Sequence, residues 1–397
     1  MADTTKDIWN DDDGEEKPKK RRGPRGFLVF FLTLAAVLAV VLLAAYRDGT
    51  GFDVLRRYLN YGSVEKVGGE AYYEYDASTQ NRFAALGETL VVLSETSLRL
   101  LDGDGGEIWS TSVNMAAPAL SRGGGRAVAY DVGGTALYVV DESGQVMSLT
   151  ADEEEPFIAA TLNEQGWLAV TAEKRNVKGC VSVYNENAEL VFTFRSSRRF
   201  VTDAYVADDC TALAAVTLGQ EDSVFVSNVV LYDLTKPGEV EPMADYDISD
   251  GLVAAIGQQG EALATVSDTC LTFADTKGEV TATYSYGGAY LRDYDLSGDG
   301  FAVLLLNRYQ SGSVGRLVTV DAAGAELGSL DVNEEVLSVS AAGRYLAVLY
   351  ADRLIVYNQD LQVYASLQGT GYAKEILVRT DGSALLLSAE SAGLFLP

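Results

Sequence analysis

The 397 residues carry 57 Asp and Glu against 30 Lys and Arg, a formal net charge of −27, and no histidine. So acidic a surface repels phosphate backbones and anionic lipid, which sets nucleic acid aside as a partner. Lack of histidine removes Ser-His-Asp and Cys-His catalysis and imidazole metal ligands. Three cysteines, Cys180, Cys210 and Cys270, are too few and too scattered for a disulfide framework or a Cys-x-x-Cys metal site.

Residues 1–25 form a charged tail in which seven acids balance seven bases, so nearly the whole net charge belongs to the chain beyond residue 25. Six of the nine residues from Lys17 to Arg25 are basic. Directly after them, Phe27 to Ala45 are nineteen uncharged residues. As a helix they cover roughly 30 Å, the thickness of a bilayer core. The expectation is one transmembrane helix at 26–46, with the basic side in the cytoplasm and the bulk of the chain outside. A cleaved secretory signal is the alternative, with Ala44 and Ala45 at its cleavage site; its apolar region would be shorter, about 7–15 residues. Sparse cysteine fits a Gram-positive exterior.

Residues 47–69 read as a juxtamembrane linker. Phe52, Leu55, Tyr58 and Leu59 recur at helical spacing around Arg56 and Arg57. That describes a short amphipathic helix on the lipid headgroups, or else a polar spacer with one hydrophobic turn.

From residue 70 onward one phrase recurs. A short apolar strand ends in Asp or Asn, then comes a Gly-containing turn and another strand. Copies are Leu98–Asp102, Leu137–Asp141, Val181–Asn185, Val229–Asp233, Leu271–Asp275, Leu317–Asp321 and Leu354–Asn358. A further apolar strand precedes most of them, as in Arg126–Ala129, Trp167–Val170 and Tyr345–Val348. Runs of four to seven β-branched and aromatic residues, bounded by Gly, Asp or Asn, are strands. Their hydrophobicity is continuous rather than alternating, so both faces of each sheet are covered. A period near forty residues with four strands per period specifies a β-propeller. The fold expected is all-β, with eight four-stranded blades over 70–397 and seven as the alternative.

The last blade supplies only three strands (374–379, 383–388 and 392–397), so a fourth must hide its edge. The segment Glu70–Asp76 alternates as an edge strand and is expected to close the ring as the outer strand of the last blade.

Chemical motifs are few. Asp102-Gly-Asp-Gly-Gly-Glu107 offers oxygen atoms at alternate positions like a calcium loop, but it stands where other blades carry an Asp-x-x-Gly turn. Asp295–Gly300 reads as a turn between the first two strands of its blade. Gly123-Gly124-Gly125 is flanked by strands, unlike a phosphate cradle. No Gly-x-Ser-x-Gly is present, and no pair of carboxylates stands out for glycoside hydrolysis. No catalytic, cofactor-binding or metal residue is therefore assigned, and no cofactor.

The phrase Leu101–Trp109 is similar to the repeat of quinoprotein-type propellers, whose tryptophan docks one blade on the next; that resemblance implies a packing role for Trp109. Equivalent positions elsewhere read as Ser148, Phe194 and Tyr284, and pyrroloquinoline quinone ligands find no match. From about Arg22 onward, the basic cluster, the span, Arg56-Arg57-Tyr58, Tyr75-Asp76 and then the blades resemble a family of uncharacterised clostridial single-span membrane proteins. In that family one helix carries an extracytoplasmic PQQ-like or WD-repeat-like propeller of unknown function. The resemblance implies location and fold, and no activity. The functional expectation is a membrane-anchored, non-enzymatic binding or scaffold module whose partners are other cell-envelope proteins. The alternatives are a propeller that senses a ligand or cation, or a glycosidase or quinoprotein-type enzyme.

Overall fold

Every apolar run of the repeat finds its neighbour by sequence, because consecutive strands joined by short turns pair antiparallel. The structure is a computed structural model that describes residues 24–48, 50–61 and 71–397, apart from residues 222, 237, 239, 249 and 250. Residues 1–23 and 62–70, within which fall most of the charged tail and the end of the linker, lie outside the described residues.

Two units divide at Arg56/Arg57. In the first, Pro24–Asp48 form helix α1, and its described side chains, 29–41, are all exposed. Among the described residues no helix is long and apolar enough to cross a membrane. Helix α2, Thr50–Tyr61, passes through the division.

The second unit holds β1 (Ala71–Glu74) followed by 31 more strands. These are β2–β5 (82–112), β6–β9 (118–150), β10–β13 (157–196), β14–β17 (200–248), β18–β21 (253–285), β22–β25 (290–332), β26–β29 (336–368) and β30–β32 (375–395). They build eight antiparallel four-stranded sheets, in seven of which sequence order is spatial order. In the eighth the order is β1-β32-β31-β30. There β1 supplies the outer strand, with Tyr73 opposite Ala392 and Glu74 opposite Ser391. The architecture is an eight-bladed β-propeller, and the repeat phrase ending in Asp or Asn is the third strand of each blade.

The core consists of eight clusters, and each joins two neighbouring blades. Blades 1 and 2 share Val91, Leu93, Leu98, Leu100, Ala127, Ala129 and Val140. Blades 8 and 1 meet through Tyr73, Leu90, Val92, Leu385 and Leu394. The first and last blades thus cover each other as any other pair does, and the sheet faces are shielded all the way round.

The turn after the third strand shows why Asp or Asn recurs there. Asp275 Oδ1 accepts the N–H groups of Lys277 and Glu279 at 2.9 and 2.8 Å, and Asp321 and Asn358 do the same two and four residues on. The fourth turn position has positive φ, 87° at Gly278 and 75° at Gly324. Two blades put Ala188 (φ 62°) and Leu361 (φ 59°) there instead. A register shift follows each of these turns, the pattern of a type I turn with a bulge.

The register of the third and fourth strands corrects the positions read as equivalent to Trp109. Trp109 pairs with Leu100 just before the shift, and the same place in other blades holds Met147, Phe192 and Ala282, not Ser148, Phe194 and Tyr284. Trp109 itself packs in the cluster between blades 1 and 2, where a Cβ on Gly144 would lie 3.3 Å from its indole Cδ1.

Candidate functional site

Each innermost strand has one edge without a strand partner, so its N–H and C=O groups need other partners. Side chains from the neighbouring blade supply them. Asp293 Oδ2 accepts Val339 N–H at 3.2 Å and Asp295 Oδ2 accepts Ala341 N–H at 2.7 Å, tying blade 6 to blade 7. Ser338 and Ser340 hydroxyls accept Ile376 and Val378 N–H at 3.4 and 3.2 Å, tying blade 7 to blade 8. Thr161 donates to the Ala204 carbonyl, and Asp203 accepts from Ile256 N–H. The alternation Asp293-x-Asp295 and Ser338-x-Ser340 was the sequence signal for these ties.

Burial in this wall pushes the Asp203 carboxyl up to about 7, against the two N–H groups that favour its anion. Burial likewise raises Glu375 to about 7, with Arg82 opposing and Asp293 reinforcing. Asp293 is raised by burial too. Perturbed carboxylates mark functional sites and structural networks alike. Here Asp203, Asp293 and Asp295 spend their oxygens on backbone N–H groups, which is a structural use.

The ring has two unlike faces. One, the turn face, carries the turns joining first to second and third to fourth strands. The other, the crossover face, carries the loops from second to third strands and from blade to blade. Arg57 reaches the turn face: it is buried and donates to the Asp381 carbonyl at 2.5 Å and to Tyr364 Oη at 3.0 Å. Tyr61 Oη lies 3.1 Å from Ser383 Oγ and accepts from buried Arg379 at 2.7 Å. Arg379 also donates to the Glu88 carbonyl at 3.0 Å, so one guanidinium links the end of α2, blade 8 and blade 1. Part of the segment read as a linker is therefore built into the ring, with Arg57 turned inward rather than to solvent.

Aromatic side chains are distributed unevenly between the faces. Of seven exposed aromatics among the described residues of the second unit, Phe200, Phe225, Tyr290, Tyr309 and Tyr372 lie at the crossover face. The other two are Tyr58 on α2 and Tyr72 on the outer strand β1. Blade 4 adds a long hairpin, Ala212–Glu221 and Val224–Asp233, whose tip exposes Val224 and Phe225. On blade 6 the loop bearing Tyr309 is held by Asn307 Nδ2 donating to the Gly312 carbonyl at 2.9 Å. Cavities of about 470 and 280 Å³ flank that loop. The first is walled by Arg292, Asn307 and Glu335, the second by Leu306, Arg308 and Arg316.

The motifs set aside from sequence fall in turns. Asp102 Oδ1 accepts Asp104 and Gly106 N–H at 2.9 and 2.7 Å. Asp295 Oδ1 caps its own turn through Ser297 N–H at 2.7 Å. Gly123–Gly125 join β6 to β7. Among the described residues, no group of three or more Cys, Asp and Glu side chains is placed to hold a metal ion. Sequence reasoning missed the Arg57 and Arg379 contacts and the aromatic face, since neither follows the repeat.

Residues 60–389 match the sequence family described as "Family of unknown function (DUF5711)". No curated protein sequence matches the chain. Among solved structures, the C-terminal WD40 domain of Sif2 is similar over 82% of this chain and 97% of that one, with 14% identity and a TM-score of 0.57. A quinohemoprotein alcohol dehydrogenase, ADHIIG from Pseudomonas putida HK5, is similar over 82% and 75%, with 10% identity and a TM-score of 0.51. The dihydro-heme d1 dehydrogenase NirN, in complex with DHE, covers 74% and 67% at 13% identity, with a TM-score of 0.51. At such identities the likeness is one of fold.

Proposed function

Since the chain belongs to the DUF5711 family of unknown function, we propose on physical grounds that it is a membrane-anchored, extracytoplasmic docking platform. Other envelope proteins bind its crossover face, and the ring does no chemistry of its own. The anchor is the apolar run Phe27–Ala45 behind its basic cluster. The observation that carries the docking role is the concentration of exposed aromatics on the crossover face, since Tyr, Phe and Arg are enriched where interfaces hold their binding energy. Arg57 joins the ring at the opposite, turn face.

The test exchanges Phe225 and Tyr309 for glutamate in the full-length protein and recovers partners after crosslinking in native membranes. Both side chains are more than half exposed, so the fold should persist. Selective loss of specific partners supports the proposal. An unchanged partner set, or no partner above background with the unaltered protein, refutes it.

A further inference from the structure

One cavity of the crossover face gathers features that break the repeat. It holds about 470 Å³ where blade 6 passes to blade 7, beside the loop that bears Tyr309. That loop, residues 308–314, is the longest link between second and third strands among the described blades. In blades 3, 4, 5 and 7 the first strand is bulged against the second, and the extra residue is Ile158, Thr202, Ala254 and Leu337 in turn. Blade 6 has the same bulge and puts Arg292 there, the one charged side chain at this position. A bulge re-aims the side chain it carries, and Arg292 lines the cavity.

The floor is apolar: Leu305, Val332 and Val336 belong to the core cluster shared by blades 6 and 7. Above it stand charges of opposite sign. Glu334 is taken up by Arg353, which donates to its two carboxylate oxygens at 2.5 and 2.8 Å. Arg292 and Glu335 have no ion-pair partner among the described residues, neither each other nor any third group. Asn307 adds a neutral group. It is only 7% exposed, and its Nδ2 donates to the Gly312 carbonyl at 2.9 Å, which orients the amide. Its Oδ1 has no donor among the described residues and is not sealed from solvent, so it stands as an open acceptor in the cavity wall.

We propose that this cavity binds a zwitterion of the amino-acid class, an α-amino acid or a short peptide. Arg292 takes the carboxylate, for which a guanidinium has matching geometry. Glu335 takes the ammonium, Asn307 Oδ1 accepts an N–H, and an aliphatic side chain covers the floor. A simple anion or cation would leave one of the two charges unanswered. No aromatic ring is among the described lining residues, so a planar base would find no surface to stack on. The volume falls in the range of small-ligand pockets, about 300–1,000 Å³.

The experiment is calorimetric titration of the purified full-length protein in nanodiscs with leucyl-leucine, its N-acetyl derivative, its C-terminal amide and free leucine. No partner protein is present, so the outcome is independent of the docking role. Saturable binding of leucyl-leucine is expected, weakened about tenfold by blocking either end, as loss of one charged hydrogen-bonded contact implies. Arg292→Gln should erase the preference for a free carboxylate and keep that for a free amine, and Glu335→Gln should do the reverse. Both side chains are exposed, so folding is not at stake; the blocked peptides also test the unaltered protein. Leucine binding at least as tightly as leucyl-leucine supports the proposal with a single amino acid as ligand, and weaker binding of leucine supports it with a peptide. Failure of both zwitterions to saturate, full affinity of both blocked peptides, or unchanged end preferences in the folded variants would each overturn it.

Discussion

Arg57→Ala removes one side chain and tests how the segment before the first strand is held to the ring. The guanidinium makes hydrogen bonds to the Asp381 carbonyl at 2.5 Å and Tyr364 Oη at 3.0 Å, and its carbon lies 5.9 Å from the Tyr364 ring centre. Hydrogen bonds from a charged group contribute about 1.5–3 kcal/mol each, while truncation lets water reach part of what is exposed. A net loss of about 3 kcal/mol is therefore expected. Unfolding entropy near 2 cal/mol/K per residue makes this about 4 °C in melting temperature for a domain of this size. Scanning fluorimetry of the variant beside Tyr58→Ala gives the readout. Tyr58 is next in sequence but 53% exposed, so its truncation should leave the melt almost unmoved. If both variants melt with the parent, Arg57 holds nothing and the latch is refuted.

Other parts of the ring give further expected outcomes. Asp203 and Glu375 bind protons more tightly folded than unfolded, so the stability they confer is complete below about pH 4 and is lost as pH rises through about 7. The melting temperature should fall between about pH 4 and about pH 7, and Asp203→Asn should flatten that fall; an identical slope in the variant would contradict the assignment. Ala188→Gly should stabilise by about 0.5 kcal/mol in chemical denaturation, because Ala188 sits at positive φ. Gly278→Ala should cost about 2 kcal/mol in the same assay, since φ is 87° and the new Cβ would meet the Ala244 Cβ at 2.7 Å. Removal of residues 70–77 takes away β1 and should lower the melt of the whole propeller, not of one blade.

Much of the fold was readable because the repeat is enforced by burial. Leu98-Arg-Leu-Leu-Asp102 and its copies are apolar on both faces because a neighbouring blade covers each side, and their Asp or Asn caps a turn that recurs from blade to blade. Ring closure was readable from a three-stranded last blade. The equivalents of Trp109 were misplaced along the strand: Phe194 and Tyr284 lie two residues beyond Phe192 and Ala282, on the same face, and Ser148 lies one beyond Met147 because the turn of blade 2 is one residue shorter. The Arg57 contacts went unread for a different reason. Helical spacing ranks residues by hydrophobicity, whereas the turn-face carbonyl of Asp381 requires a donor. The ties between inner strands lay in polar residues at alternate positions, and the exposed aromatics lay in loops outside the period.

The docking claim is tested most directly by placing a photo-crosslinking residue at Phe225 or Tyr309 and, for comparison, at Val280 or Val363, which are exposed where the outer strands leave the turn face. Irradiation of membranes carrying the full-length protein should give discrete adducts at the first two positions and none at the others. Adducts confined to Val280 and Val363, or the same at all four, would contradict a partner on the aromatic face.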